Sequence, residues 1–216
     1  VDYLAHGVTT AQSGGVSEKL ATGLSLFSKL GVIPQRLVVF PFETEFGEKL
    51  LNGGYDPEDY NGDRLQMGAV KLVADGSIQG YTGYLSEPYY TPYHGDANYR
   101  GYPSIPRDKL FSQVAALHRA GYQIAIHGNG DQAIEDILDA FEAAQQEHPV
   151  EDPRMILVHA QMAREDQVAR MQQLGVTPSF FSAHTWYWGD RHRDIFLGPE
   201  RAAVISPAGW AQDYGV

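Results

Sequence analysis

The sequence predicts an α/β fold, a partial (β/α)8 TIM-type barrel of about strands two to seven with their helices. Two observations predict it. Short β-branched or aromatic runs recur near positions 8, 37, 71, 124, 156 and 180, and segments of helical period separate them. The clearest unit is the stretch YQIAIHGNGDQAIEDILDAFEAAQQEHPVEDPRMILVHAQ, Tyr122 to Gln161, which reads strand, helix, strand. A crossover helix between two strands of one sheet makes them parallel, with their C-terminal ends on one side. Units of this kind closing on one another suit a barrel better than an open sheet, and a whole barrel needs eight.

The elements follow in order. Val1 to Gly7 reads as a helix end with Gly7 as its closing glycine. Val8 to Gln12 is a strand, and Ser13-Gly14-Gly15 a loop. Ser17 caps a helix whose apolar face is Leu20, Leu24, Phe27 and Leu30, ended by Gly31. Arg36 to Phe42 is the next strand. A helical or irregular piece runs to Leu51, and Asn52-Gly53-Gly54 and Asn61-Gly62-Asp63 are loop signals. Ala69 to Ala74 is a strand.

Gly76 to Pro103 is rich in Gly, Pro and Tyr and has no period. A loop of that length is functional or carries small elements of its own. Its tyrosines, Tyr81, Tyr89, Tyr93 and Tyr99 among them, either wall a pocket or pack as a surface excursion; the sequence leaves both open. Ser104 caps the following helix, with Pro106 in its first turn and Gly121 past its end. After the central unit come a helix from about Arg164 to Leu174 closed by Gly175, a strand from Val176 to Ala183, an aromatic and charged tail from Trp186 to Pro199, and a short helix over Ala208 to Asp213. A further strand is expected to open at Val216.

Residues 1–216 are taken as one domain, the central part of a barrel whose first and last strands lie outside the chain. Hydrophobic residues make up 43%, ample for a core. There is no cysteine, which excludes disulfides, thiolate zinc sites and thiol catalysis. The net charge of −11 argues against nucleic acid and anionic membrane as partners. No apolar run is long enough to span a bilayer, and the N-terminus has no signal-peptide shape, so a cytoplasmic location is expected. Unpaired first and last strands would invite self-association.

Alternation along a strand sends every second side chain to one face. Gln123, Ala125 and His127 share a face, as do Met155, Leu157 and His159, and Phe180, Ser182 and His184. Three successive strands thus end on or near a histidine. Imidazole is the commonest metal ligand, and a core histidine is the competing reading; the residues alone weigh the two evenly. Lys71 lies within the apolar run Ala69-Val70-Lys71-Leu72-Val73-Ala74. A buried ammonium is costly unless paired or neutralised, and spacing alone favours an ion pair with a carboxylate such as Asp75. Gly128-Asn129-Gly130-Asp131 is better explained by Asp131 as a helix N-cap than as a phosphate loop. His6, His94, His118 and His148 read as surface or loop residues. There is neither a G-x-S-x-G elbow nor a P-loop.

The runs VKLVADGSIQGYTGYLSEPY, IAIHGNGDQAIEDILDAFE, RMILVHAQ and FLGPERA, in that order and spacing, resemble the amidohydrolase superfamily. More narrowly they resemble its amidohydrolase 3 branch, the YtcJ-like and N-substituted formamide deformylase-like proteins. HGVTTAQSGG is similar to the second barrel strand of that branch. The resemblance implies a metal-dependent hydrolase on a distorted (β/α)8 barrel, acting on a small molecule at an amide or other non-peptide C–N bond through metal-activated water. It implies a divalent metal, zinc above all, that this stretch by itself need not hold. His127 and His159 match metal ligands, and Lys71 matches a lysine that family members carry carboxylated as a ligand. Asp75, Gln79 and Tyr81 fall in the segment lining the substrate pocket. His184, Trp186 and Tyr187 fall where the seventh strand opens onto it, with His184 steadying the substrate or oxyanion. The strand-one H-x-H pair and the strand-eight aspartate of the family have no counterpart in the sequence. A non-catalytic fragment, or a regulatory or binding module derived from an amidohydrolase, is the alternative.

Overall fold

A computed structural model of the chain describes residues 2–216. The contacts group the chain into two compact units: residues up to Leu72 with Ala120–Ile124, and Val73–Arg119 with Ala125–Val216.

The first unit contains α1 (Asp2–Ala5), β1 (Thr10–Val16), α2 (Glu18–Lys29), β2 (Arg36–Pro41), α3 (Glu43–Phe46), β3 (Leu65–Met67) and most of β4 (Val70–Val73). Its sheet has the order β1-β2-β3, with both pairings parallel. The expected loop Ser13-Gly14-Gly15 is instead part of β1. Gly15 lies against the Phe42 ring, where a Cβ would sit 2.1 Å from a ring carbon, so the missing side chain is a packing requirement. Ser17 caps α2 as expected, its hydroxyl accepting the Leu20 N–H at 3.3 Å.

The face of α2 that turns inward is not the one predicted. Ala21, Ser25 and Ser28 are buried, whereas Leu20, Phe27 and Leu30 are exposed. Small residues allow a close approach that leucine would block; a Cβ on Gly62 would come within 2.7 Å of the Ser28 hydroxyl. The strand expected over Ala69 to Ala74 is preceded by the unexpected β3. Gly68 interrupts the extended run between them, its N–H donating to Val39 O at 2.8 Å, and a Cβ there would press on the Phe40 ring at 2.7 Å. Val70 then turns to a new partner and donates to Gln123 O at 2.8 Å.

The second unit carries β5 (Ile124–Gly128), β6 (Ile156–His159) and β7 (Thr177–Phe180), paired in that order and parallel. With them come α4 (Arg107–Arg119), α5 (Asp131–Glu147) and α6 (Glu165–Leu174); α5 packs on α4 and α6, and α6 on β7. Ile134, Ile137, Leu138 and Phe141 of α5 are fully buried, the apolar spacing read from the sequence, each such side chain stabilising by about 1.5–3 kcal/mol. Arg170 ties α6 to α5 through Glu135 at 2.9 Å and Asp139 at 2.6 Å.

Several boundaries differ from expectation. Ser104 does not cap α4: its N–H bonds Ala74 O at 2.7 Å, and the helix begins after Pro106, whose carbonyl accepts the Leu110 N–H at 2.9 Å. Gly130, not Asp131, caps α5; the Asp131 carboxylate instead holds the Ser86 N–H at 2.9 Å and the Ser86 hydroxyl. His118 is buried, with Nε2 2.8 Å from His148 O, and is not a surface residue. β7 stops at Phe180. The tail folds as α7 (Ala183–Arg191), one π-helical turn over His192–Phe196, and α8 (Gly198–Ala202). The last helix, α9 (Ala208–Tyr214), is closed by Gly215 at φ 73°, and Val216 donates back to Ala211 O at 2.8 Å rather than opening a strand.

The long segment after β4 is a packed excursion. Tyr81 stacks on Tyr93 at 4.7 Å and meets Tyr89 at 4.9 Å and Phe196 at 5.0 Å. Tyr89 and Phe196 join Ile78, Leu85, Met162 and Leu197 in a second small core, with Tyr81 packed against it.

Candidate functional site

The register of β5 and β6 decides which side chains meet. His127 stands opposite Val158, and His159, the last residue of β6, stands opposite Gly128 and Phe180. The two imidazole rings centre 4.6 Å apart at 82°. His127 Nε2 lies 2.8 Å from Gly76 O. The same nitrogen lies 2.9 Å from Asn129 Nδ2, so these neighbours fix the orientation of the ring. Asn129 Nδ2 donates to the same carbonyl at 2.7 Å. Fixing one nitrogen of a histidine on a backbone carbonyl is how proteins orient metal-binding imidazoles.

Asp75 holds this corner together. It is fully buried, and its carboxylate accepts the N–H groups of Tyr84 at 2.9 Å, Gly130 at 2.8 Å and Asn129 at 3.0 Å. It is wholly enclosed, supports the loops through these backbone donors, and has Oδ1 3.5 Å from His127 Nε2. β6 ends abruptly because His159 and Ala160 both take left-handed backbone angles, φ 75° and 47°. Each costs of order 1–2 kcal/mol for a residue with a Cβ. The turn carries Gln161 inward, and Met162 N–H then bonds Asn129 O at 2.9 Å.

His184 comes to the same place by another route than the one predicted. It lies in the first turn of α7 and not on a strand, yet its ring is 5.3 Å from His159 and 4.9 Å from Phe181. Burial lowers its pKa. Behind it His192, fully buried, centres 6.5 Å away and has Nε2 3.1 Å from Gln161 Nε2. Burial first, and the His184 ring second, push its pKa down to about 4. Four histidines, His127, His159, His184 and His192, therefore run in a row. Sequence reasoning missed His192, Gln161 and Asn129; their only signal was proximity to HGNGD, VHAQ and the tail histidine, and the π-helical turn has no sequence signature.

Gln79 is half-buried on a 3-10 turn, Ile78–Gly80, and Tyr81 is packed among tyrosines. Trp186 and Tyr187 are 83% and 75% exposed on α7, beside a depression of about 800 Å³ that Phe180, Ser182 and Thr185 also line. Lys71 lies in the first unit, 5% exposed in β4 and bridged to Phe42 of the neighbouring chain segment.

The imidazole pair suits a metal in chemistry and spacing. Two imidazoles on one tetrahedral zinc centre about 5 Å apart. Among the described residues, no group of three or more His, Asp or Glu side chains could hold a metal ion. The pair therefore fits as part of a ligand set. Among the same residues no helix is long and apolar enough to cross a membrane.

Comparison with known proteins identifies the family. The Amidohydrolase family model matches residues 2–216. YtcJ of Bacillus subtilis (strain 168) is 29% identical over 120 residues, 55% of this chain and 21% of that protein. The N-substituted formamide deformylase of Arthrobacter pascens is 26% identical over 196 residues, 88% of this chain and 34% of that protein. An uncharacterized metal-dependent hydrolase from Pyrococcus furiosus superposes with a TM-score of 0.79 at 26% identity, over 99% of this chain and 42% of that one. The chain thus spans well under half the length of these relatives, and the likeness agrees with the partial α/β barrel read from the sequence. With the match running over residues 2–216, the chain belongs to the amidohydrolase family.

Proposed function

We propose that the protein is a metal-dependent hydrolase of amide or other non-peptide C–N bonds in small molecules, and that this chain supplies His127 and His159 as metal ligands. The carrying observation is the perpendicular pair of rings, 4.6 Å apart, with His127 oriented by Gly76 O at 2.8 Å. Imidazole donors favour zinc. A bound metal would supply an activated water and polarise the scissile carbonyl.

The chain's own residues do the rest. Asn129 and Gly76 orient the His127 ring, and Asp75 holds the loops that carry them. His184, kept neutral by burial, presents a ring nitrogen that can hydrogen-bond the substrate or the developing oxyanion. Trp186 and Tyr187 offer an apolar wall, with Gln79 and Tyr81 at the approach. Lys71, buried in β4, is proposed to be carboxylated, as the family resemblance implies: adding carbon dioxide to the amine with loss of a proton would give an anionic carbamate whose oxygens could hold metal. Self-association through the free edges of β1 and β7 and a cytoplasmic location belong to the same proposal. The test is zinc content and hydrolysis of N-substituted formamides by the protein and its His127→Ala variant. Full activity of the variant sinks the reading.

A second reading, a binding module without turnover, is supported by the lack of any metal-holding group of three among the described residues. Tightly held stoichiometric zinc would overturn it.

A further inference from the structure

We propose that Gln161 and His192 form a buried positioning pair that sets the orientation of His184 beside His159. The proposal rests on the reading of His184 as the substrate-side histidine. Both members of the pair are fully buried, and their side-chain nitrogens lie 3.1 Å apart. One comes from each of the two segments that must be held in register. Gln161 follows the left-handed pair His159 and Ala160 at the end of β6. His192 opens the π-helical turn that follows α7, the helix that carries His184.

Two polar side chains in an apolar pocket cost stability unless they gain something, and leucine and phenylalanine would fill the same space more cheaply. What the pair gains is direction. A neutral imidazole has one donor and one acceptor nitrogen, and an amide has both, so the contact fixes two side chains in angle as well as distance. His192 reaches His184 ring to ring at 6.5 Å. Its other neighbour, Phe196 at 6.0 Å, belongs to the tyrosine-lined core and supplies a rigid back wall. The π-helical turn inserts the extra residue that turns His192 inward; such turns recur at functional sites. Among the described residues, His184 has a buried Nδ1 that makes no hydrogen bond. Its orientation is left to what packs behind it.

The test uses the protein with His192→Phe, Gln161→Leu and the conservative His192→Asn, read by long-range proton–nitrogen NMR of the histidine rings and by zinc affinity in competition with a chromogenic chelator. His192→Phe and Gln161→Leu should each shift the His184 ring signals and weaken zinc binding about tenfold, the scale of lost supporting contacts at metal sites. His192→Asn, which keeps a hydrogen-bonding atom, should return both to within about twofold. A purely structural role would lower the unfolding midpoint in all three without this rescue. Unmoved His184 signals in His192→Phe or Gln161→Leu, or an Asn variant as impaired as the Phe variant, would overturn the proposal. If the wild type binds no zinc, the proposed function fails while the ring spectra still decide the positioning role.

Discussion

The Asp75 carboxylate and the backbone N–H of Gly130 meet at 2.8 Å in a fully buried corner. The same oxygen takes the Tyr84 N–H, and the other takes Asn129. One side chain thereby closes the turn that follows β5, caps the approach to α5 and pins the loop at Tyr84. Asp75→Asn presents an N–H group to donors on at least one side. Each buried donor left without an acceptor costs about 1–3 kcal/mol, so a loss of about 2–4 kcal/mol is expected, read as a lower urea midpoint at unchanged slope.

Gly130 shows the same corner from the backbone. Its φ of −75° suits any residue, so the need for glycine is steric: a Cβ would sit 1.9 Å from Tyr84 O. Backbone cannot yield as a side-chain tip can. Gly130→Ala is expected to destabilise by about 3 kcal/mol or more, on the scale of severe overpacking, with loss of soluble yield as the first readout.

His192 predicts a pH dependence. Its pKa falls from 6.5 unfolded to about 4 folded because burial penalises the imidazolium. Between those values the unfolded chain binds a proton that the folded chain refuses, so stability rises with pH across that window. The contribution is complete above pH 6.5 and is lost as pH falls through about 4, and it amounts to about 3 kcal/mol. Denaturant curves at pH 4.5 and 7.5 should differ by a part of that amount in the wild type, and by less in His192→Phe. Equal differences in both proteins would contradict the assignment.

Two substitutions separate ligand from support in the metal proposal. His127→Ala should abolish zinc retention through dialysis. Asn129→Ala leaves the ring in place but removes its neighbour on Gly76 O, and should weaken zinc about tenfold. Identical effects of the two would argue that the site depends on loop integrity and not on His127 as a ligand.

Carboxylated Lys71 would carry one carbon dioxide. Growth or dialysis in carbon-13 bicarbonate should give a single carbamate carbon resonance, absent in Lys71→Met. No such resonance at neutral pH would remove Lys71 from the ligand set and leave a buried lysine to be explained by its neighbours in β4.

Much of the fold was written locally. Glycine stops at Gly31, Gly121 and Gly175, the Ser17 cap and the apolar spacing of α5 are properties of short windows, and the structure keeps them. The errors share a cause. Leu20, Phe27 and Leu30 look like a buried face because leucine and phenylalanine usually are, but a close approach selects small residues, and Ala21, Ser25 and Ser28 turn inward. β3 is three residues long beside a glycine, too short for a period of two to declare itself, and exists because β2 offers it a partner.

By itself the sequence determined the parallel βα units and the meeting of His127 with His159, because chain direction and side-chain alternation in two adjacent strands are local and periodic. Tertiary structure alone decided three other things. It enclosed Asp75 beside His127 and made it a support, since three backbone donors converge on it. It brought His184 to His159 from a helix instead of a strand. It added His192 and Gln161, whose contact spans 31 residues and depends on a left-handed turn and a π-helical turn that no residue pattern encodes.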